Sequence, residues 1–435
     1  MIKHRNKWYG VLVVLLAIGL CQTGYATTLG GAGSNEKKDT QSSSKMMREQ
    51  TYRKVQNAQE LLTNGKYAES LKVLDEVLPS TEGRDYERAV VLQTIAYVYI
   101  SRASDSKNKD SAQNKSDYNK AGDYLQQAVS LNALPAAAQL QSLRALAQVY
   151  TLLEEYQKAI TVLDRYLKNA EKPDPEVYFM VAAAYAYQEK YAQAVPYAKQ
   201  AVEKADTPHE GWYKLWLATE ASLEHYASAA DILERMVGLW PEKGEYWQQL
   251  ATMYLQLNED KKALSTLALA YKKGLLTKEK DFLNLAQLYM LQNAPWEAAK
   301  VVSAGIDKGI VEKNKKNLER EANAWFLAKE FQKAIDTYDQ AAQYADDGEF
   351  YLREAQIYQQ MANWKGVLSA TKKALDKGGL KKPGDAYILR GMAAVDGKKY
   401  DAALQAFREA RKYDGTKKNA EQWIQYVHNN LASGN

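Results

Sequence analysis

The chain has 435 residues, and its 24 Gly and 9 Pro make about 8% of it, against roughly 12% in an average protein. That scarcity argues against collagen, low-complexity disorder and a turn-rich β-sandwich, while 46% hydrophobic and 26% charged residues make a globular composition. The net charge is +5 and falls to +2 without Lys3, Arg5 and Lys7, so no global field draws the chain to nucleic acid.

The N-terminus reads as an export signal. Lys3 to Lys7 form a positive segment, Trp8 to Leu20 an apolar run, and Gly24-Tyr25-Ala26 a small-residue cleavage site, so residues 1–26 are expected to be removed. The apolar run is shorter than the ~20 residues that span a bilayer, so no stable membrane insertion is expected after cleavage. Cys21 follows Leu20, where a lipidated Cys normally follows a small residue, which disfavours lipoprotein anchoring. Cleavage after Ala26 leaves no cysteine, hence no disulfide, thiolate metal site or Cys nucleophile. Residues 27–45, rich in Gly and Ser, read as a flexible leader.

From residue 46 to 416 a repeat dominates. A small residue is followed by an aromatic after three residues, a second aromatic after nine and Ala after twelve: Ala147, Tyr150, Tyr156, Ala159, then Ala182, Tyr185, Tyr191, Ala194. Ala58, Leu61, Tyr67 and Leu71 begin the series. Ala96, Tyr99, Tyr118 and Ala121 follow, split by a polar insertion at 103–116 that reads as a surface loop. Ala218, Ala221, Tyr226 and Ala229 fit with one residue missing. Ala251, Tyr254 and Ala263 come next, then Ala286, Tyr289, Trp296 and Ala299, and Ala322, Trp325, Phe331 and Ala334. Ala355, Tyr358 and Trp364, then Gly391, Tyr400 and Ala403, close the series. Gly274, Gly309 and Gly379, each followed by an apolar residue, mark helix ends, and Pro79, Pro135, Pro173, Pro208 and Pro241 fall at repeat joins. Residues 417–435 read as a capping helix and tail, with Trp423, Ile424 and Val427 on one face.

Period and residue types resemble the tetratricopeptide repeat (TPR). The resemblance implies an all-α, superhelical solenoid of about ten helix-turn-helix repeats with a C-terminal capping helix. The 31 tyrosines, against 6 Phe, then become wedges between helices, with the hydroxyl reaching water or backbone.

Catalytic patterns are missing. His209-Glu210 lacks the second His of HExxH, residues 391–399 miss the spacing and Ser/Thr of a phosphate loop, and there is no GxSxG or CxxC. His209, His225 and His428 fall in a join, a turn and the cap helix. The expectation is a non-enzyme with no cofactor and no metal.

In TPR proteins the first helix of each repeat lines the concave face. The resemblance implies a protein-binding groove containing Arg144, Gln148, Trp212, Thr219, Gln248, Thr252, Gln287, Asn323, Phe326, Gln356 and Gln359. Amides recur in it, and an amide can both donate to and accept from an extended peptide backbone. Asn323 has Glu319, not a Lys, one turn earlier, so the clamp some TPR proteins use for acidic C-termini is not reproduced.

Segments 263–276, 282–302 and 324–342 resemble exported bacterial TPR proteins associated with TonB energy-transduction systems, through an AYxxGLL helix end, an LAQLY–PxEAA unit and an AW–KAI unit. The resemblance covers roughly residues 210–410. It implies a periplasmic scaffold whose partners are TonB-complex components or TonB-dependent outer-membrane receptors. The alternative is an envelope assembly or secretion scaffold that recruits cell-wall or polymer-export enzymes.

Overall fold

The computed structural model describes residues 47–105 and 111–432. The expected signal sequence, the leader and Cys21 lie outside the described residues.

Two compact units divide between Leu239 and Trp240. The first holds α1 (Glu49–Thr63), α2 (Tyr67–Val77), α3 (Asp85–Ser104), α4 (Ser111–Ser130), α5 (Ala136–Leu152), α6 (Tyr156–Asn169), α7 (Pro175–Tyr187), α8 (Tyr191–Lys204), α9 (Glu210–Ser222) and α10 (Tyr226–Leu239). The second holds α11 (Gly244–Gln256), α12 (Asp260–Lys272), α13 (Glu279–Leu291), α14 (Pro295–Asp307), α15 (Lys315–Leu327), α16 (Phe331–Gln343), α17 (Glu349–Gln360), α18 (Trp364–Lys377), α19 (Pro383–Asp396), α20 (Tyr400–Ala410) and α21 (Lys417–Ala432). Apart from a 3-10 turn at Leu78–Thr81, every described element is an α-helix. In each unit an odd-numbered helix A packs on the even-numbered helix B after it, and that helix B packs on the next helix A. This is the all-α, TPR-like repeat architecture that the sequence implies.

The grid of small residues explains the pairing. Ala58, Ala96, Ala147, Ala182 and Ala322 on A helices and Ala121, Ala159, Ala194, Ala229 and Ala334 on B helices are fully buried, so the backbones approach closely. At Gly391 a β-carbon would sit 2.4 Å from a ring atom of Phe407. Tyrosines wedge the layers: Tyr99 stacks on Tyr124 at 5.9 Å and Tyr185 on Tyr197 at 5.9 Å. Leucines such as Leu125, Leu146 and Leu163 fill the space between pairs, each contributing roughly 2 kcal/mol by leaving water.

Nine of the A-to-B turns share one backbone solution. Gly65, Glu154, Glu189, Glu224, Asn258, Asn293, Lys329, Ala362 and Lys398 all have φ between 54° and 73°. The next amide reaches back five residues: Lys66 N to Leu61 O, Glu155 N to Tyr150 O, His225 N to Glu220 O and Asn363 N to Tyr358 O, each at 2.8–3.0 Å. This is a Schellman closure, which satisfies carbonyls that the helix end would otherwise orphan. Left-handed backbone costs a non-glycine residue roughly 1–2 kcal/mol, and Ala362 has no polar side chain to offset it. Ala362→Gly is therefore expected to raise stability by about 0.5 kcal/mol, after the entropy that glycine adds to the unfolded chain. Slower hydrogen exchange of α17 and α18 amides is the measurement; unchanged or faster exchange contradicts it.

Gly274 and Gly309 close B helices in the same way, through Leu275 N to Ala270 O at 3.0 Å and Ile310 N to Gly305 O at 2.9 Å. The third glycine pair differs. Gly378 itself caps α18 with φ 73° and ψ −161°, and its carbonyl accepts from Gly348 N at 2.8 Å. Pro196 lies inside α8 rather than at a join.

The structure corrects four details of the repeat reading. The bond from His225 N to Glu220 O places Glu220, not Ala221, at the helix A aromatic position, and Leu217, not Ala218, at the small position. No residue is missing from that repeat. In the first repeat Ser70, not Leu71, takes the helix B small position, its hydroxyl donating to Ala58 O at 2.7 Å. Pro295 begins α14 where the turn aromatic was expected, and Trp296 is exposed beside Lys300. Finally, 103–116 is not a loop throughout: Ala103 and Ser104 end α3, and residues 111–116 form the first turns of α4. Beyond them Asp117 is fully buried, accepting from Arg102 Nε at 2.7 Å and Nη2 at 2.6 Å.

α21 covers the last repeat. Its Ala420 and Val427 are buried and Trp423 stacks on Phe407 at 5.5 Å.

Candidate functional site

The A helices of each unit form a row, and polar side chains strap neighbours together along it. In the first unit Arg144 on α5 is half-buried. Its guanidinium donates to Asp174 at 2.9 Å and to Glu176, both at the start of α7. Asp174 also caps α7 by accepting from Glu176 N at 2.9 Å. Arg144 therefore fixes the next repeat. Gln148 lies half-buried one turn further on.

The repeat containing α9 departs from expectation. Thr219 is 1% exposed and its hydroxyl donates to Trp216 O at 2.8 Å, so it lines no groove. Trp212 is half-buried, stacked on Phe179 at 5.6 Å and 4.2 Å from the His209 ring. The cause is the one-residue shift of register: with Leu217 at the small position, the outward residues of α9 are Lys214, Ala218 and Ala221. Glu220 stays buried because Trp216 Nε1 donates to it at 3.3 Å and His225 Nδ1 lies 2.8 Å away. His225 thus closes a turn rather than standing apart.

In the second unit the predicted amides divide into two groups. Gln248 donates to Asp281 at 2.9 Å, joining α11 to the capped start of α13. Asn323 accepts from Tyr338 Oη at 2.6 Å and from Arg353 Nη1 at 3.0 Å, joining α15 to α17. Arg353 also meets Glu319 at 3.1 Å. Gln359 reaches the sulfur of Met392 on α19 at 3.9 Å. These side chains hold repeats in register. Gln287 and Gln356 face solvent, as does Thr252, whose hydroxyl bonds back to Gln248 O at 2.8 Å. Phe326 is half-buried, 6.1 Å from the Phe331 ring.

The position five residues after the small one is absent from the groove that the resemblance implies. Leu291 and Leu327 stand there, 58% and 56% exposed. The signal was present in the repeat itself, since Leu152, Gln256, Leu291, Leu327 and Gln360 share that offset. The second unit's row therefore offers open amides and exposed apolar side chains over straps that are already satisfied. Among the described residues no group of three or more His, Cys, Asp or Glu is placed to hold a metal ion.

A family model described as ChAPs (Chs5p-Arf1p-binding proteins) matches residues 143–325, less than half of the chain. No curated protein matches. A tetratricopeptide repeat protein from Parabacteroides merdae is 14% identical, with a TM-score of 0.30 over 59% of this chain and 99% of that one. The C-terminal part of a TPR repeat-containing protein from Cytophaga hutchinsonii is 13% identical, with a TM-score of 0.33 over 64% of this chain and 98% of that one. MamA from Desulfovibrio magneticus is 19% identical, with a TM-score of 0.31 over 41% of this chain and 93% of that one. The paired helices of the chain follow the TPR-like repeat pattern.

Proposed function

We propose that the chain is an exported, periplasmic scaffold that docks a protein partner on its A-helix row and serves a TonB–ExbB–ExbD system in outer-membrane uptake. The observation that carries the docking role is the open set of Gln287, Gln356, Leu291 and Leu327, which the inter-repeat straps leave to solvent. Side-chain amides can match the donors and acceptors of a peptide backbone, and exposed leucines supply the apolar contact. A matching family described as binding Arf1p supports the scaffold class. Export rests on the charged, apolar and small-residue succession of residues 1–26. The TonB assignment rests on the resemblance of 263–276, 282–302 and 324–342.

Two measurements test it. N-terminal sequencing of the purified protein is expected to begin at Thr27, and a chain that still begins at Met1 refutes export by cleavage. A pulldown from envelope extract is expected to recover TonB, ExbB, ExbD or an outer-membrane receptor. Recovery of polymer-synthesis or secretion enzymes alone replaces the TonB role with envelope assembly.

A further inference from the structure

We propose that a lysine-rich edge of the second unit, formed by the adjoining joins from α12 to α13 and from α14 to α15, binds an acidic segment of a protein partner. This surface is not the A-helix row, so it stands or falls apart from that row as a docking face.

Residues 272–281 and 307–316 hold eight lysines and four acids, whereas the joins at 168–177 and 203–212 in the first unit hold three lysines and six acids. All eight of those lysines are exposed. Two contacts bring the joins together. Asn317 Nδ2 donates to Glu279 at 2.6 Å and to Glu312 O at 2.9 Å, and the Lys308 ammonium lies 6.0 Å from the centroid of the Tyr271 ring, next to Lys272 in the chain. Most of the acids are taken up locally: Glu279 by Asn317, Glu312 by Asn314 Nδ2 at 2.9 Å, and buried Asp281 by Gln248 and Lys278 N. Asp307 remains. Lys315 meets Asp347 at 3.5 Å, and the join at 343–352 holds three acids and no base, so the cluster ends there. Among the described residues Lys272, Lys273, Lys280, Lys313 and Lys316 form no ion pair. Lys313 acts at longer range on Glu321, whose carboxyl burial pushes up.

Part of this charge stands where it costs stability. α15 opens on Lys315 and Lys316 with no acid in its first turn, whereas α7, α9, α11 and α17 have Glu176, Glu210, Glu245 and Glu349 there. A cation at that end opposes the helix dipole. Asp347 answers Lys315, but no carboxylate pairs with Lys316. A local rule broken without local compensation points to a surface that serves something outside the fold. The chemistry of the joins narrows what that is. Neither contains an aromatic residue on which a base could stack, or an arginine to grip a phosphate through two parallel bonds. Leu276 and Val311 are buried and Leu275 and Ile310 half-buried, so the joins offer no exposed apolar side chain to a bilayer. Ammonium groups on flexible stems suit carboxylates spaced along an acidic chain. Complementarity of this kind steers association and is screened by salt.

The test uses the full chain and a fluorescent peptide of alternating Glu and Ser, read by anisotropy. The expected result is binding that weakens steeply as salt rises. Lys272→Gln, Lys273→Gln, Lys313→Gln and Lys316→Gln together should weaken it about tenfold, each exposed pair contributing a small factor, at unchanged helix content. The same number of changes at exposed lysines elsewhere in the unit, Lys365→Gln, Lys372→Gln, Lys417→Gln and Lys418→Gln, should weaken it less than about twofold. No binding at low salt overturns the inference. Equal loss in the two variants also overturns it, because net charge then accounts for the binding. Tighter binding to phosphatidylglycerol vesicles or to an oligonucleotide than to the peptide makes the occupant a phosphate polyanion and overturns it. Salt-sensitive self-association that the four cluster changes abolish makes the occupant a second copy, and overturns it as well.

Discussion

Replacing Arg102 with Ala is expected to destabilise the second repeat by about 3–5 kcal/mol, the cost of leaving a buried carboxylate without its partner. Asp117 is fully buried near the start of α4, and Arg102 from the end of α3 supplies two of its hydrogen bonds, at 2.7 and 2.6 Å. Gln113 Nε2 gives another at 2.8 Å, from the turn before it. The first turns of α4 read Ser-Ala-Gln-Asn-Lys-Ser, in which the two Ser and the Asn are poorer helix formers than the residues between them. The anchor at Asp117 ties those turns to α3. Hydrogen exchange is the suitable readout, because stacked repeats open locally rather than in one step. Amides of α4 should exchange faster in Arg102→Ala, while those of α13 to α20 stay as they were. A double change, Arg102→Met with Asp117→Leu, should recover most of the loss, since it removes both charges from a space that burial makes costly. If Arg102→Ala leaves α4 exchange within about 0.5 kcal/mol of the parent, the pair does not hold this repeat.

The same pair shows where sequence reading runs out. Period, turn positions and the closing glycines at 274 and 309 are legible because each residue answers a local demand: a small side chain where backbones meet, an aromatic at a wedge, a glycine at positive φ. The polar residues of the insertion imply a loop, because local composition carries no trace of a salt bridge formed across it. The α9 repeat misled for a related reason. Leu217 and Glu220 occupy the small and aromatic positions, while Ala218 and Ala221 stand one residue away and mimic the motif. Glu220 tolerates its burial through Trp216 and His225, a compensation visible only in three dimensions. That slip carried Thr219 into the predicted groove. Gln248 and Asn323 look like open amides in sequence because the residue type is apparent there, whereas their bonds to the next A helix, 33 and 30 residues away, are not. The turns concealed their strain likewise, since Glu, Asn, Lys and Ala stand where glycine would announce a left-handed residue.

Glu354→Gln is expected to remove a pH-dependent weakness from the centre of the second unit. Glu354 on α17 is 3% exposed, and its Oε1 has no hydrogen-bond partner. Burial, with Asp339 and then Asp336 adding to it against Lys373, pushes its carboxyl up to about 8. Lys373, whose ammonium is bound to Asp339 at 2.8 Å, offsets only part of this. A carboxyl raised in the folded state favours folding only while it is protonated. Its contribution is complete below the ordinary value near 4.5 and is lost as the pH climbs toward 8. A shift of this size corresponds to roughly 4 kcal/mol by the top of that window. The neutral Gln does not titrate, so parent and variant should diverge between pH 5 and pH 8 on the ordinary value and the raised one, then run parallel. At the acid end Gln is no better than the protonated parent, since it places an amide where one oxygen already lacks a donor. Exchange of α16 to α18 amides across that range reads the effect directly: the parent should loosen with rising pH and Glu354→Gln should not. A parent whose α17 protection is flat across the window would mean that the carboxylate is ionised throughout and is hydrated or paired in solution. A variant that loosens as steeply as the parent would assign the dependence to Asp336, Asp339 or Lys373 instead.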